Sequence, residues 1–148
     1  MNVVKLQAEL LKDVFNKKGG KWFISENNME ETVTLMASHQ MWFIPKNNFI
    51  FDIKTLNDLD VRNTNIVNGM LEKYKDTKPL EKTFNKRVYY DKTLIELKSG
   101  DDLIYVDEKL LKLYDKSVTF AGTKPKEPVY LLEDDILVGL VLPVSIKM

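Results

Sequence analysis

Short runs of β-branched and aromatic residues recur along this chain, each too brief for a helix and each bounded by turn-forming polar residues. Lys21–Ser25 carries Trp22, Phe23 and Ile24, and Asn27-Asn28 follows as a turn. Glu31–Ser38 alternates, with Val33, Leu35 and Ala37 on one face. Gln40–Pro45 carries Met41, Trp42, Phe43 and Ile44, and Asn47-Asn48 leads into Phe49–Ile53. Asn pairs serve as turns because their short side chains bond the local backbone. In the second half, Arg87–Tyr90 pairs with Thr93–Leu97, and Leu103–Val106 and Ser117–Ala121 follow as strands. Val129–Leu132 and Ile136–Val144 flank the tight acidic turn Glu133-Asp134-Asp135. Connections this short join antiparallel neighbours, since a parallel pair needs a long crossover.

Three segments change period. Asn2–Leu6 reads as a strand, and from Gln7 the spacing of Leu6, Leu10, Leu11 and Val14 gives one face of a helix that Gly19-Gly20 stops. Lys54–Asp60 reads as loop. Asn63–Lys75 places Ile66, Val67, Met70, Leu71 and Tyr74 at helical spacing, and Pro79 lies beyond it. Glu108–Asp115 reads as a short helix with Asp107 as its cap.

The totals exclude several function classes. At 148 residues the chain suits one domain. Its 22 basic and 22 acidic residues cancel, which excludes a strongly basic nucleic-acid protein but leaves room for a basic face. It has no cysteine and one histidine, His39, so thiol catalysis, disulfide scaffolds, zinc ribbons and multi-histidine metal sites are excluded. No cofactor or metal is expected. The opening MNVVKLQAELLK lacks a secretory-leader pattern. The longest apolar run, Ile136–Val144, contains Gly139 and Pro143 and falls short of the roughly 20 residues a spanning helix needs. A soluble, cytoplasmic protein is expected.

The two ends of the chain share a pattern. Val3–Lys12 set beneath Leu103–Lys112 matches Leu10, Leu11 and Lys12 with Leu110, Leu111 and Lys112 at a constant offset of 100 positions. Each copy then reads strand, helix and three strands, ending at Pro45 and at Pro143. The pattern predicts a duplicated half-domain, with half-repeats at about residues 2–53 and 101–148 and a central insert at about 54–100. A strand followed by an amphipathic helix is also a common arrangement in its own right. Two such units lay both helices on one face of antiparallel sheets.

The stretch from Ile104 to Ile146 resembles the last half-domain of the bacterial sliding clamp, the DNA polymerase III β subunit. The resemblance rests on Val118-Thr119-Phe120-Ala121-Gly122, on Pro125, and on Leu140-Val141-Leu142-Pro143-Val144. It implies an α+β, DNA-clamp-like domain made of two strand–helix–three-strand repeats with antiparallel sheets and helices on one face, plus a central insert. In that family several such domains close into a ring whose helices surround duplex DNA. Replication proteins dock hydrophobic peptides beside the C-terminal strand, and no chemistry is performed. The resemblance therefore implies a non-enzymatic, DNA-associated processivity factor. Its brevity suits a virus or mobile element, and it would act as a homo-oligomer with replication proteins as partners. The alternative is a monomeric clamp-fold module that binds a host protein as a decoy or inhibitor, without DNA.

The candidate residues follow from both readings. Lys109, Lys112 and Lys116 fall at i, i+3 and i+7, Lys12 is the repeat-mate of Lys112, and Lys17 lies nearby. Such lysines contact phosphates without reading sequence. A solvated helical face is the plainer reading, and Glu9, Asp13 and Glu108 weaken the field. By resemblance, Val141, Leu142, Pro143, Val144 and Ile146 form a pocket for a partner's peptide, against ordinary sheet core for those that alternate inward. Trp22, Phe23, Trp42, Phe43, Phe49 and Phe51 suggest base stacking only if they are not core, which their strand patterns favour. His39 beside Ser38 invites a hydrolase reading that no further motif supports. Asp101-Asp102 and Glu133-Asp134-Asp135 read as solvated turns rather than cation sites.

Overall fold

The chain is described by a computed structural model covering residues 1–15, 22–27, 32–37, 39–50, 60–61 and 64–146. Asn2 opens the first helix. Its side-chain oxygen accepts the Lys5 N–H at 3.0 Å, the contact of an N-terminal cap. Helix α1 therefore runs Val3–Phe15, and the strand expected at Asn2–Leu6 is not formed. The β-branched pair Val3-Val4 suggested a strand, but the cap and the burial of Leu6 and Leu10 on one helical face decide otherwise. Strands β1 (Phe23–Asn27), β2 (Thr32–Ala37) and β3 (Gln40–Pro45) follow, then a short β4 (Asp60–Val61) and helix α2 (Thr64–Tyr74). The remainder is β5 (Lys78–Tyr89), β6 (Lys92–Ser99), β7 (Asp102–Asp107), β8 (Thr119–Gly122), β9 (Val129–Glu133) and β10 (Ile136–Val141).

Among the described residues all ten strands belong to one sheet, in the order β4-β1-β2-β3-β10-β9-β8-β5-β6-β7. Neighbours are antiparallel except β4, which joins β1 in parallel through two residue pairs. The sheet contains three meanders, β1-β2-β3, β5-β6-β7 and β8-β9-β10. β5 connects two of them. Its first residues pair with β8 and the rest with β6, across a bulge between Lys82 and Lys86. The region expected as an insert thus supplies α2, β5 and β6, and β5 lies between β8 and β6 in the sheet.

The sheet is curled. β10 and β7 stand five places apart, about 24 Å if the sheet were flat. Yet the chain just past β10 reaches the outer edge of β7, where the Val144 N–H donates to the Tyr105 carbonyl at 2.8 Å. Two residues earlier the Leu142 N–H donates to the His39 carbonyl at 2.8 Å, on the β3 side. The tail thus bridges the two sides of the curl.

The core is divided between the two faces of the sheet. Trp42 and Ile44 of β3 join one apolar cluster, while Met41 and Phe43 join another. Val129 and Leu131 of β9 separate from Tyr130 in the same way. Successive strand residues point to opposite faces, so the clusters lie on opposite sides. Leu6 and Leu10 of α1 belong to the first cluster, and Val67 and Leu71 of α2 to the second. The expectation of two helices on one face concerned α1 and Glu108–Asp115, and Leu110 and Leu111 of that segment pack against the same cluster as α1; α2, from the expected insert, covers the opposite face. The reason is burial: Val33–Met36 and Met41–Ile44 are buried at every position, so each face needs its own cover.

Two further expectations change. The helix foreseen at Glu108–Asp115 is a single 3₁₀ turn, Glu108–Leu111. Asp107 caps it as expected, accepting the Lys109 N–H at 3.0 Å. The chain then turns so that Leu113 and Tyr114 enter the core. At the offset of 100, helix residues Val3–Leu6 are set against strand residues of β7, so the match in letters is not a match in structure. Phe49 and Ile50 lie outside any strand, and residues 51–53 fall outside the described residues, as do Gly19-Gly20 and most of the Lys54–Asp60 segment.

Three polar contacts lock these layers. The buried Gln7 of α1 donates to the Asn48 carbonyl and accepts from the Ile50 N–H, both at 2.8 Å, which ties the chain after β3 to the helix. The Tyr130 hydroxyl donates to the Met70 carbonyl at 2.5 Å and ties α2 to β9. Burial, with Glu127 nearby, pushes the Tyr130 pKa up to about 12. Gly139 leaves the room that Tyr114 occupies. A Cβ there would overlap the Tyr114 hydroxyl and approach the Met41 carbonyl oxygen to 2.8 Å. That hydroxyl has no hydrogen-bond partner among the described residues. Gly139→Ala should lower stability by about 1–3 kcal/mol in urea unfolding through overpacking. Tyr114→Phe should leave stability unchanged or raise it, because it removes an unpaired buried hydroxyl. Combined, the two changes should cost less than the sum of their separate effects; strict additivity would show that the hydroxyl is not the obstacle.

Candidate functional site

The tail and β7 enclose a groove of about 480 Å³. Strand alternation turns Ile104 and Val106 inward and leaves Leu103 and Tyr105 facing out. Those two, with Val144 and Ile146 of the tail, form the apolar floor. Arg87 of β5, Lys126 of the β8–β9 loop, and Asp101 and Asp102 at the start of β7 form the rim.

The floor is held in place by a polar network on the same face. The Tyr105 hydroxyl donates to Glu96 of β6 at 2.9 Å, and the Arg87 guanidinium lies 5.9 Å from the Tyr105 ring centroid. Glu96 also accepts from the Thr83 hydroxyl at 2.9 Å and from the Asn85 amide at 3.3 Å. Hydrogen bonds from Tyr105, Thr83 and Asn85 hold the Glu96 carboxyl below the usual carboxylate range. Burial, followed by the bond to Glu96, pushes the Tyr105 hydroxyl up. The network fixes the ring that the tail packs beside.

The five expected pocket residues are not brought together. Val141 is fully buried in the α1-side core. Leu142 lines a separate apolar groove of about 390 Å³ on the α2 face, with Met36, Met41, Ile66 and Met70. Pro143 is half-buried, and only Val144 and Ile146 reach the β7 groove. Alternation separates Val141 from Leu142, and the crossing of the chain from the β3 side to the edge of β7 separates Leu142 from Val144 and Ile146.

The expected phosphate-contacting lysines are also spread out. Lys12, Lys109, Lys112 and Lys116 are exposed, and Lys17 lies outside the described residues. Lys109 sits in the 3₁₀ turn, with Lys112 at its end and Lys116 beyond it, so the three share no helical face. Lys109 and Lys112 line a third cleft, of about 830 Å³, together with Glu9 and Asp13 of α1. The acids there offset the lysines. In its floor Trp22 stacks on Trp42 at 5.3 Å, and the Trp22 indole donates to Asp13 at 2.7 Å.

The remaining candidates sit in structural roles. Trp22, Trp42 and Phe43 are buried core residues, Phe23 and Phe49 are half-buried, and Phe51 lies outside the described residues. His39 is exposed at the β2–β3 turn, and Ser38 lies outside the described residues. Asp134 and Asp135 have φ of 50° and 64°, the conformation a tight hairpin turn demands. Among the described residues no three His, Asp or Glu side chains gather as a metal site, and no helix is long and apolar enough to cross a membrane. Sequence reasoning missed the trio of Arg87, Glu96 and Tyr105. The signal was present in Asp102–Asp107, where a tyrosine stands at an outward position between two inward aliphatics.

Comparison with protein families, with curated proteins and with solved structures finds no match to this chain. The site is therefore read from its own geometry. Glu96→Gln should lower the Tyr105 pKa toward the ordinary tyrosine value of about 10, because the negative acceptor is lost. Absorbance titration of tyrosine against a Tyr105→Phe control measures this, and an unchanged titration would mean that Glu96 does not hold the ring.

Proposed function

We propose that this protein is a non-enzymatic protein-binding module that receives a short hydrophobic segment of a partner protein in the groove between β7 and residues 142–146. The observation that carries the reading is the groove's composition. Leu103, Tyr105, Val144 and Ile146 make an apolar floor, and Arg87, Lys126, Asp101 and Asp102 make a charged rim. An apolar centre inside a polar rim is the anatomy of a protein interface. The resemblance of the C-terminal stretch to sliding clamps, in which peptides dock beside the last strand, supports the same location. The partner is a replication or host protein, and the setting is cytoplasmic. The reading needs neither a ring nor a helical lining.

A peptide display library selected against the immobilised protein provides the test. Hydrophobic consensus peptides are expected, and Leu103→Asp or Ile146→Asp should weaken them about tenfold or more, as loss of an interface anchor does. Leu103 is 42% exposed, so the change leaves the core intact. Peptides that bind both variants as they bind the parent chain, or a selection without a hydrophobic consensus, would overturn the reading.

The exposure of Lys12, Lys109, Lys112 and Lys116 favours a second reading, a clamp-like, DNA-associated processivity factor built from several copies around duplex DNA. It requires an oligomer by solution mass measurement and duplex binding that weakens steeply with salt. A strict monomer at high concentration excludes it.

A further inference from the structure

The long β5–β6 hairpin concentrates the charge of a chain that is neutral overall. Lys78–Lys98 holds six of the 22 basic residues and three of the 22 acidic ones, a net excess of three positive charges. One of those acids, Glu96, is engaged by Tyr105, Thr83 and Asn85 on the groove face. On the other face the register sets Lys82 opposite Leu97, Lys86 opposite Ile95 and Val88 opposite Thr93. Directly paired residues share a face, so Lys82, Lys86 and Val88 lie on the side that carries α1. All three are exposed.

Two aromatics interrupt this row. Phe84 stands in the bulge at φ 66° and is 82% exposed, with the Lys82 ammonium 5.7 Å from its ring centroid. Tyr90 stands at the hairpin turn at φ 54° and is 86% exposed, with the Tyr89 ring edge-on at 4.7 Å. A bulky aromatic at positive φ is strained. At Tyr90 the positive φ is what the tight turn demands, as at Asp134 and Asp135, and at Phe84 it belongs to the bulge. Bulky rings at such positions, left almost wholly in water beyond their contacts with Lys82 and Tyr89, point to a role outside the fold.

The pattern identifies the ligand. Cation, ring, cation, aliphatic and ring succeed one another in the chain at Lys82, Phe84, Lys86, Val88 and Tyr90, within one hairpin arm and its turn. Rings accept the flat face of any base, and ammonium groups accept phosphates. The cations separate the apolar groups, so no continuous apolar patch is offered to a protein. A duplex keeps its bases inside its own stack, out of reach of these rings. The Lys86–Glu108 pair, 2.6 Å apart and exposed, is of the weak surface kind that a phosphate displaces. We propose that this face of the hairpin binds single-stranded nucleic acid without sequence preference, with bases stacked on Phe84 and Tyr90 and phosphates held by Lys82 and Lys86. Its lysines lie on the opposite face of the hairpin from the peptide groove, and none of its four residues lines that groove.

Fluorescence anisotropy with a labelled oligothymidylate of about 16 nucleotides tests this on the full chain at low salt. Phe84→Ala and Tyr90→Ala should each weaken binding about tenfold. Lys82→Gln should reduce the slope of log affinity against log salt by about 0.7. Both aromatics are exposed, so the variants should keep the parent circular dichroism; if Phe84→Ala misfolds, Tyr90→Ala decides. Absence of binding at low salt, equal binding of a duplex of the same length, or unchanged affinity in the aromatic variants would overturn the proposal. Equal competition by polyglutamate would also overturn it, because it would show a charged surface suited to an acidic protein.

Discussion

The return of the chain from β10 to the edge of β7 is the constraint on which the rest depends. One backbone bond, Val144 to Tyr105, joins positions that a flat sheet would hold far apart. The sheet can meet that demand only by curling, and a curled sheet has an inside to fill. Leu80, Leu97, Val106, Phe120 and Leu131 fill it from the strands, and Leu6 and Leu10 of α1 fill it from the helix. The bulge in β5 and the room at Gly139 serve the same curvature. The first interrupts the β5–β6 pairing just after β5 passes from β8 to β6, and the second admits Tyr114 beneath β10.

The curl also determines what lies outside. Because the tail closes against β7, the outward residues of that strand become the floor of a groove instead of an open sheet edge. An open edge would expose unpaired backbone groups and invite pairing with another chain. Here the tail covers part of that edge and leaves a side-chain surface beside it. On the α1-side face of the β5–β6 hairpin, Lys82 and Lys86 stand in solvent although their partners Leu97 and Ile95 are core, and Val88, opposite Thr93, is exposed beside them. Groove and cationic stripe are two faces of one hairpin, separated by the alternation of side chains.

Much of the fold was legible in the residues. The strands at Thr32–Ala37, Gln40–Pro45, Lys92–Ser99, Asp102–Asp107 and Val129–Glu133 fall where β-branched and aromatic runs meet turn signals. So does α2, through the helical spacing of Val67 and Leu71. The first residues misled because Val3-Val4 favours a strand, while a single cap at Asn2 outweighs that preference. Glu108–Asp115 misled because a helical spacing of leucines does not reveal that Tyr114 must leave the helix for the core. The Met41–Ile44 run held a signal that passed unread. Four consecutive apolar residues mark a strand buried on both faces, so that each face needs cover, without saying which element supplies it.

The sequence by itself determined many local matters: most of the strands, α2, the tight turns, and the lack of residues for thiol and multi-histidine chemistry. These depend on residues a few positions apart. Tertiary structure alone decided that α1 and α2 take opposite faces, that the tail meets β7, and that Val144 and Ile146 part company with Val141 and Leu142. Those outcomes depend on contacts between residues dozens of positions apart. The register of a distant partner strand sets them, and no local spacing encodes it.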